Sequence, residues 1–318
     1  MKKLIIFLLI PILILCLFAC KTGESTTSDT RADTQTDNPR QTGTAADDTD
    51  TTQPESTTDG APGTEPEPVK GSDNLGISEY DDRVIITGAG SCEDKELIIP
   101  SHINGKPVTD IDECAFQENK EIKSVFIPYT VKRIDEDAFA GCENLEKVTF
   151  SEGLEYLIES SFYGCTSLKS VTLPSTLFSV GSYVFSHCSG LEEVIMLGCA
   201  DIRSNAFDDC TSLKSFEMKC GAEKSYKVFD TAFTGCYAVE KVVFAPGLTE
   251  MGNWNFADTA NLKYVFLPKT LTKISACTFL RSGIETVNYE GSEEEWNKIE
   301  IKEPLFTPNV IYNCEYTK

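Results

Sequence analysis

The chain has 318 residues and a formal net charge of -22, from 50 acidic and 28 basic side chains. A surface this acidic repels nucleic-acid phosphates, and no run of lysine or arginine offers a local exception, so we expect no nucleic-acid partner. The length allows two domains, so the organisation must be inferred from patterns along the chain.

The first segment has the pattern of an export signal. Two lysines precede an apolar run from Leu4 to Ala19, which ends at Cys20. As a helix this run would span only about 24 Å, less than the roughly 30 Å hydrocarbon core of a bilayer. We therefore predict a signal peptide over residues 1–19 rather than a permanent transmembrane helix.

The end of this segment, Leu17-Phe18-Ala19-Cys20, resembles a bacterial lipobox. The resemblance implies that Cys20 is lipidated, becomes the mature N-terminus and holds the protein at the outer side of the cell membrane. The alternative is a secreted protein that is cut nearby and keeps Cys20 unmodified. In the first case the protein would contact the membrane only through its N-terminal lipid.

A polar segment follows the signal. Residues 21–73 are rich in Thr, Ser, Asp, Glu, Pro and Gly, and Val69 is their only large apolar side chain. Such a composition cannot build a core, so we predict a disordered tether over residues 20–73. As a flexible coil it would reach on the order of 40 Å, and its Thr-rich tracts could be glycosylated outside the cell.

Beyond the tether one pattern recurs with a phenylalanine in each copy. Eight such phenylalanines follow one another at intervals of 22 to 26 residues: Phe116, Phe139, Phe162, Phe185, Phe207, Phe233, Phe256 and Phe279. A near-constant period in the twenties is typical of a solenoid, in which each coil buries its apolar face against its neighbours. The sixth copy carries about three extra residues between Cys220 and Lys227, where we expect a loop.

A strand signal keeps step with the phenylalanines. Apolar residues stand nine and eleven positions after most of them, as at Val148 and Phe150. Apolar residues at alternate positions indicate a strand with one buried face. We therefore expect one short strand per coil, with successive strands side by side in one parallel sheet at about 4.8 Å spacing.

Two of these copies show a family resemblance. IPYTVKRIDEDAFAGCENLEKVTF (residues 127–150) and LPSTLFSVGSYVFSHCSGLEEVIM (residues 173–196) resemble the BspA-like leucine-rich repeat. The resemblance implies a leucine-rich repeat solenoid of about eight repeats over residues 99–290, an α/β-type right-handed coil with one parallel sheet. It also implies a bacterial surface location and adhesion to a protein or glycan, but it leaves the ligand unidentified.

Both ends of a solenoid need caps, because they otherwise expose strand edges and apolar core. In the N-terminal cap, residues 74–98, we predict a β-hairpin from Ile77 to Gly88. In the C-terminal cap, residues 291–318, we predict a helix and strand, with Ser292 and Glu295 forming a capping box. The helix would place two apolar side chains on one face, Trp296 and Ile299.

Five cysteines occupy one column, three residues after a phenylalanine: Cys142, Cys165, Cys188, Cys210 and Cys236. A catalytic nucleophile is not repeated five times, so we interpret them as a buried ladder of small hydrophobes. Cys199 falls in an aliphatic column and is interpreted as core. Export permits disulfides, but spacing does not fix the pairing among Cys92, Cys114, Cys220, Cys277 and Cys314.

Other chemistry has little support in the sequence. His187 stands beside Cys188 in the glycine column, which favours a tolerated substitution over a catalytic dyad. The pair Asp208-Asp209 is typical of a solvated surface. The chain lacks clustered Cys/His spacing and glycine-rich nucleotide motifs, so we expect neither a metal, a cofactor nor an enzyme.

The outward strand positions offer a ligand surface. We predict that it comprises eight residues: Phe126, Lys147, Thr149, Ile195, Lys241, Val243, Tyr264 and Phe266. Clustered apolar groups on an exposed face mark partner sites, although strand propensity alone can also place them there. We therefore expect a monomeric, lipid-anchored adhesion protein for an extracellular protein or glycan, and the alternative is a structural envelope spacer without a ligand.

Overall fold

The computed structural model describes residues 66–221, 224–302 and 306–316. The predicted signal peptide, the lipidation site Cys20 and most of the predicted tether lie outside these residues. Among the residues described, no helix has the length and apolar character needed to cross a membrane.

The described chain opens with the hairpin expected from the sequence. Strand β1 (Gly76–Glu79) pairs antiparallel with β2 (Val84–Gly88). The buried side chains of β2 are Val84 and Ile86, so the alternation of its sequence matches a strand with one face on the core. The N-terminal hairpin cap is thus confirmed.

One side of the solenoid consists of short parallel strands, and we call this surface the strand face. Within the described residues it contains β3 (Glu96–Ile98), β6 (Ser124–Ile127), β8 (Lys147–Phe150), β10 (Ser170–Leu173), β12 (Glu193–Met196), β14 (Ser215–Met218), β16 (Lys241–Val243), β18 (Tyr264–Leu267), β20 (Thr286–Tyr289) and β22 (Asn309–Ile311). They form a three-stranded sheet, β3-β6-β8, followed by a seven-stranded sheet from β10 to β22. One strand per coil confirms the expected stacking of repeats.

A second sheet, parallel from β2 onward, runs along another side of the coils, and the sequence did not predict it. It joins β1 and β2 to β5 (Lys106–Ile111), β7 (Arg133–Ile134), β9 (Tyr156–Leu157), β11 (Ser179–Val180), β13 (Asp201–Ile202), β15 (Tyr226–Val228), β17 (Leu248–Met251), β19 (Lys273–Ile274) and β21 (Glu300–Ile301). A further short strand, β4 (His102–Ile103), pairs antiparallel with β5. Most of these strands hold one inward residue, which is too few to produce an alternating pattern.

The C-terminal cap contains the predicted helix, α1 (Glu293–Trp296). The Ser292 side chain accepts a hydrogen bond from the Glu295 backbone, and the Glu295 side chain accepts one from the Ser292 backbone. This capping box satisfies amides that the first turn would otherwise leave without partners. Trp296 and Ile299 are both buried as expected, but the helix ends at Trp296, so Ile299 packs inward from the turn that follows and not from the helix.

The core is organised by stacked phenylalanine rings. Successive rings from Phe116 to Phe279 lie 4.9 to 5.6 Å apart between centroids, with interplanar angles of 5° to 18°. Phe306 continues the stack at 4.7 Å from Phe279, so the C-terminal cap supplies a further rung. Offset stacking adds about 0.5–1.5 kcal/mol per pair to the burial of each ring.

The N-terminal edge of the folded part extends into the segment expected to be tether. The amide of Ser72 donates to the Ile98 carbonyl at 2.7 Å, and the amide of Ser101 donates to the Val69 carbonyl at 3.2 Å. A side chain at Gly71 would meet the backbone of Pro100, so only glycine fits there. Residues 69–72 therefore pack on the first coil.

Candidate ligand-binding face

The five column cysteines lie in the core as predicted, and each thiol has a specific partner. The sulfur of each donates to the carbonyl oxygen of a phenylalanine in the preceding coil at 3.1 to 3.4 Å: Cys142 to Phe116, Cys165 to Phe139, Cys188 to Phe162, Cys210 to Phe185 and Cys236 to Phe207. All five side chains are fully buried. Burial raises the pKa of Cys142 to about 12, so this thiol is not a nucleophile near neutral pH.

The residue that precedes each column cysteine, a glycine in three of the five copies, has a left-handed backbone conformation. Gly141, Gly164 and Gly235 have φ values of 68°, 68° and 76°, in the left-handed region. His187 and Asp209 occupy the same column with φ values of 58° and 53°. Among residues with a side chain, Asn, Asp and His enter this region most readily, which explains their place in the column.

The stacking of coils brings His187 close to two adjacent carboxylates of the next coil, Asp208 and Asp209. His187 Nδ1 lies 3.5 Å from Asp209 Oδ2, and possible ligand atoms of His187, Asp208 and Asp209 lie within 4.8 Å of one another. Within the described residues, these three are the group that could jointly hold a cation. Burial, and then the charge of Asp209, raises the pKa of the Asp208 carboxyl.

This arrangement shows that His187 and Cys188 do not form a catalytic dyad. The Cys188 thiol points inward to the Phe162 carbonyl, whereas the His187 ring is partly exposed and stands edge-on to the Tyr163 ring at 5.2 Å between centroids. The two side chains therefore aim in different directions and cannot share a substrate. The neighbour of His187 is Asp209 in the next coil, a contact that adjacency in the sequence does not reveal.

The strand face aligns all eight predicted ligand residues in two rows. In one row the register pairs Phe126 with Thr149, and Ile195 connects through Glu217 to Val243 and then Phe266. The other row holds the remaining three predicted residues: Lys147, Lys241 and Tyr264. Side chains at paired positions of neighbouring strands contact one another, so the rows are continuous surfaces within each sheet.

Exposure differs along these rows. Tyr264 is 40% exposed, and Lys147 and Lys241 are exposed as well. Four others are half-buried: Phe126, Thr149, Ile195 and Val243. Phe266 is only 2% exposed, so the exposure expected for this residue was wrong.

The cover over Phe266 comes from the C-terminal cap. The Tyr316 ring lies 5.7 Å from the Phe266 ring between centroids, and its hydroxyl donates to the Met218 carbonyl at 2.6 Å. Phe266 is therefore on the outward side of its strand, as predicted, but another part of the chain lies over it. Tyr316 lies over the strand face, and the sequence analysis did not identify it.

The strand face is close to electrically neutral although the whole chain is acidic. Its outward positions carry Lys147 and Lys241 against Glu96, Glu193 and Glu217, and Lys241 forms an ion pair with Glu217. The net charge of the chain is -22. The outward strand positions therefore offer an apolar and aromatic surface that repels anions less than the rest of the molecule does.

Cys199 is part of a disulfide rather than an isolated core residue. It is bonded to Cys220, with 5.9 Å between the Cα atoms and a sequence separation of 21. The interpretation of Cys199 as purely core was therefore wrong, although its partly buried side chain does pack against the core. Cys220 begins the segment where the sixth repeat carries its extra residues.

Parallel in-register coils with one strand per repeat on a common face define a leucine-rich repeat solenoid. The family pattern described as the BspA type leucine rich repeat region matches in six copies, over residues 109–229 and 198–300. These matches cover more than half of the chain. The protein belongs to the BspA-type leucine-rich repeat family.

Several solved bacterial structures resemble this chain. A leucine-rich repeat protein of T. pallidum is 25% identical, with a TM-score of 0.50, over 59% of this chain and 88% of that protein. One from Bacteroides ovatus is 21% identical, with a TM-score of 0.48, over 76% and 70%. A leucine rich cell surface protein from Faecalibacterium prausnitzii is 17% identical, with a TM-score of 0.33, over 74% and 98%. Comparison with curated proteins gives no match.

Proposed function

We propose that this protein is a lipid-anchored, non-catalytic surface protein that binds an extracellular protein or glycan through its strand face. The observation that carries the proposal is the pair of rows on that face, each continuous within its sheet. Apolar Ile195 and Val243 lie in one row of the seven-stranded sheet and Tyr264 in the other, and Phe126 takes the equivalent outward position in the three-stranded sheet. Surfaces that combine aromatic side chains with few uncompensated charges are typical of binding sites.

The proposed location rests on the N-terminal sequence. The apolar run that ends at Cys20 supports export and lipidation, and the polar segment after it would hold the repeats away from the membrane. A related structure from Faecalibacterium prausnitzii is described as a cell surface protein, which agrees with such a location. Replacing Cys20 with Ala should move the protein from the detergent phase to the soluble fraction, and continued detergent partitioning would contradict lipidation.

The binding function is tested by array capture. The chain from Lys21 onward, labelled and without lipid, is applied to arrays of extracellular proteins and of glycans. We expect a small set of the arrayed proteins or glycans to capture the chain reproducibly, and capture should fall when Ile195 is replaced by Ser. A chain that captures nothing on either array would support the alternative function as an envelope spacer.

A further inference from the structure

The segment after β22 turns back over the strand face. The amide of Asn313 donates to the Gly291 carbonyl at 2.9 Å, and the amide of Cys314 donates to the Tyr289 carbonyl at 3.0 Å. The chain then leads to Tyr316, whose ring rests on Phe266 in β18 and whose hydroxyl reaches Met218 at the end of β14. We call residues 313–316 the strap.

The acceptor at Met218 results from a local irregularity in the strand face. In earlier coils the last strand carbonyl accepts an amide of the following coil, as when Leu197 N donates to Leu173 O and Lys219 N donates to Met196 O. In the coil after Met218, strand β16 ends at Val243, and the residue at the corresponding position is Ala245, whose amide forms no backbone hydrogen bond with the Met218 carbonyl among the described residues. The Met218 carbonyl receives the Tyr316 hydroxyl.

A phenol side chain suits both the Phe266 ring and the Met218 carbonyl. The Phe266 ring provides an aromatic platform, and the Met218 carbonyl provides an acceptor in a largely desolvated place. The Cys220 backbone also interacts with the Tyr316 hydroxyl, while burial raises the pKa of this tyrosine and keeps it protonated. A protonated hydroxyl can donate to the carbonyl, whereas a phenolate cannot.

We propose that the position between Phe266 and the Met218 carbonyl is a receptor site for a tyrosine of an extended peptide from another molecule. In this proposal Tyr316 is an internal ligand that the partner peptide displaces. The inference rests on the proposed function of the strand face. It adds the chemical class of the partner, which is a tyrosine-bearing peptide. It also adds a state in which Tyr316 of the same chain occupies the site.

The contacts of the strap suit a displaceable ligand. Among the described residues, no backbone hydrogen bond holds residue 315 or 316, and Glu315 is exposed. Tyr316 is half-buried and is held by its ring contact and its hydroxyl. Segments with few buried contacts open most readily. An internal competitor raises the apparent Kd of an external ligand in inverse proportion to the fraction of sites that it leaves open.

The test uses a fluorescein-labelled peptide with the sequence of residues 312–318, with Cys314→Ser to prevent disulfide exchange. Fluorescence polarisation measures its binding to the full chain from Lys21 onward and to the same chain with Tyr316→Ala, in which the site is open. We expect the open chain to bind the peptide about tenfold more tightly than the unmodified chain, because the strap no longer competes.

Matched variants locate the peptide on the site. In the peptide, Tyr316→Ala should abolish binding, whereas Tyr312→Ala should leave it within about twofold. In the open chain, Phe266→Leu keeps an apolar side chain but removes the ring, so affinity should fall while the melting temperature is retained. Binding of similar strength by the open and unmodified chains, or by neither, would overturn the proposal.

The strap and the general binding function fail in different ways. If an array ligand binds the strand face equally well in the presence or absence of Tyr316 and does not compete with the peptide, the binding function stands and the strap inference falls. If a glycan displaces the labelled peptide and none of the arrayed proteins does so, the assignment of a peptide partner is overturned. If the open chain binds the peptide but the arrays capture nothing, the receptor site is supported and the broader adhesion role is not.

Discussion

The recurring Gly-Cys pair combines two separate roles in adjacent residues. Gly141 adopts a left-handed backbone conformation at φ 68°, and Cys142 then directs its thiol inward to the Phe116 carbonyl. The sequence identified the burial of these cysteines because a column of five recurs with the coil. It did not reveal the thiol's acceptor, because that carbonyl belongs to a residue 26 positions earlier.

Two glycines of this column should respond differently to alanine. At Gly164 a Cβ would find its nearest neighbour at 3.9 Å, so Gly164→Ala should cost only the left-handed backbone penalty of about 1 kcal/mol in unfolding free energy. At Gly235 the Cβ would lie 2.9 Å from Asp209 Cα, which adds about 1–3 kcal/mol of overpacking. Urea denaturation measures both, and an equal or larger loss for Gly164→Ala would contradict this assignment.

Burial should separate the cysteines in their reactivity. With a pKa of about 12, Cys142 holds roughly one thiolate in ten thousand molecules at pH 8, and it is also inaccessible. Cys114 is exposed, although desolvation and nearby carboxylates raise its pKa as well, so its alkylation should accelerate as pH rises.

Iodoacetamide labelling followed by peptide mass spectrometry measures this contrast. Native protein should be modified at Cys114 and not at Cys142, and both should react in denaturant. Comparable labelling of the two in the native state would show that the cysteine column is open to solvent.

At the scale of elements, sequence reasoning succeeded where a signal repeats or has a defined chemistry. The hairpin from β1 to β2 and the capping box of α1 were both predicted. The second sheet was missed because strands such as Arg133–Ile134 contain two residues and have no periodicity of their own. Phe306 was missed as a ladder rung because it follows Phe279 by 27 residues, outside the spacing of 22 to 26 that the other phenylalanines keep.

The disulfide at the sixth repeat should stabilise that coil. Because the bond closes a loop with a sequence separation of 21, we expect Cys220→Ser to reduce the free energy of unfolding by about 3 kcal/mol. Cys314→Ser is the control, because Cys314 is a free cysteine near the surface. Thermal unfolding under oxidising conditions measures both variants, and equal midpoints would indicate that the Cys199–Cys220 bond contributes nothing.

At the scale of the whole molecule, the repeat pattern predicted the fold and the location of the strand face. It did not predict that part of this face is covered by the chain itself. The family and the parallel stacking followed from chemistry that recurs in each coil. The burial of Phe266 did not follow, because it depends on Tyr316. The contact between Tyr316 and Met218 likewise joins residues 98 positions apart, which no local pattern encodes. Long-range contacts made once, outside the repeat, are therefore the part of this structure that sequence periodicity cannot supply.

The central claim is that partners bind the strand face, and the most direct measurement compares two exposed tyrosines. Tyr264 lies on that face and is 40% exposed, whereas Tyr237 is 53% exposed and lies outside its strands. For a ligand captured on the arrays, surface plasmon resonance should show about a tenfold loss of affinity for Tyr264→Ser and less than about twofold for Tyr237→Ser. Both variants should melt as the unmodified chain does. Equal affinities for the two variants, or a loss confined to Tyr237→Ser, would contradict binding through the strand face.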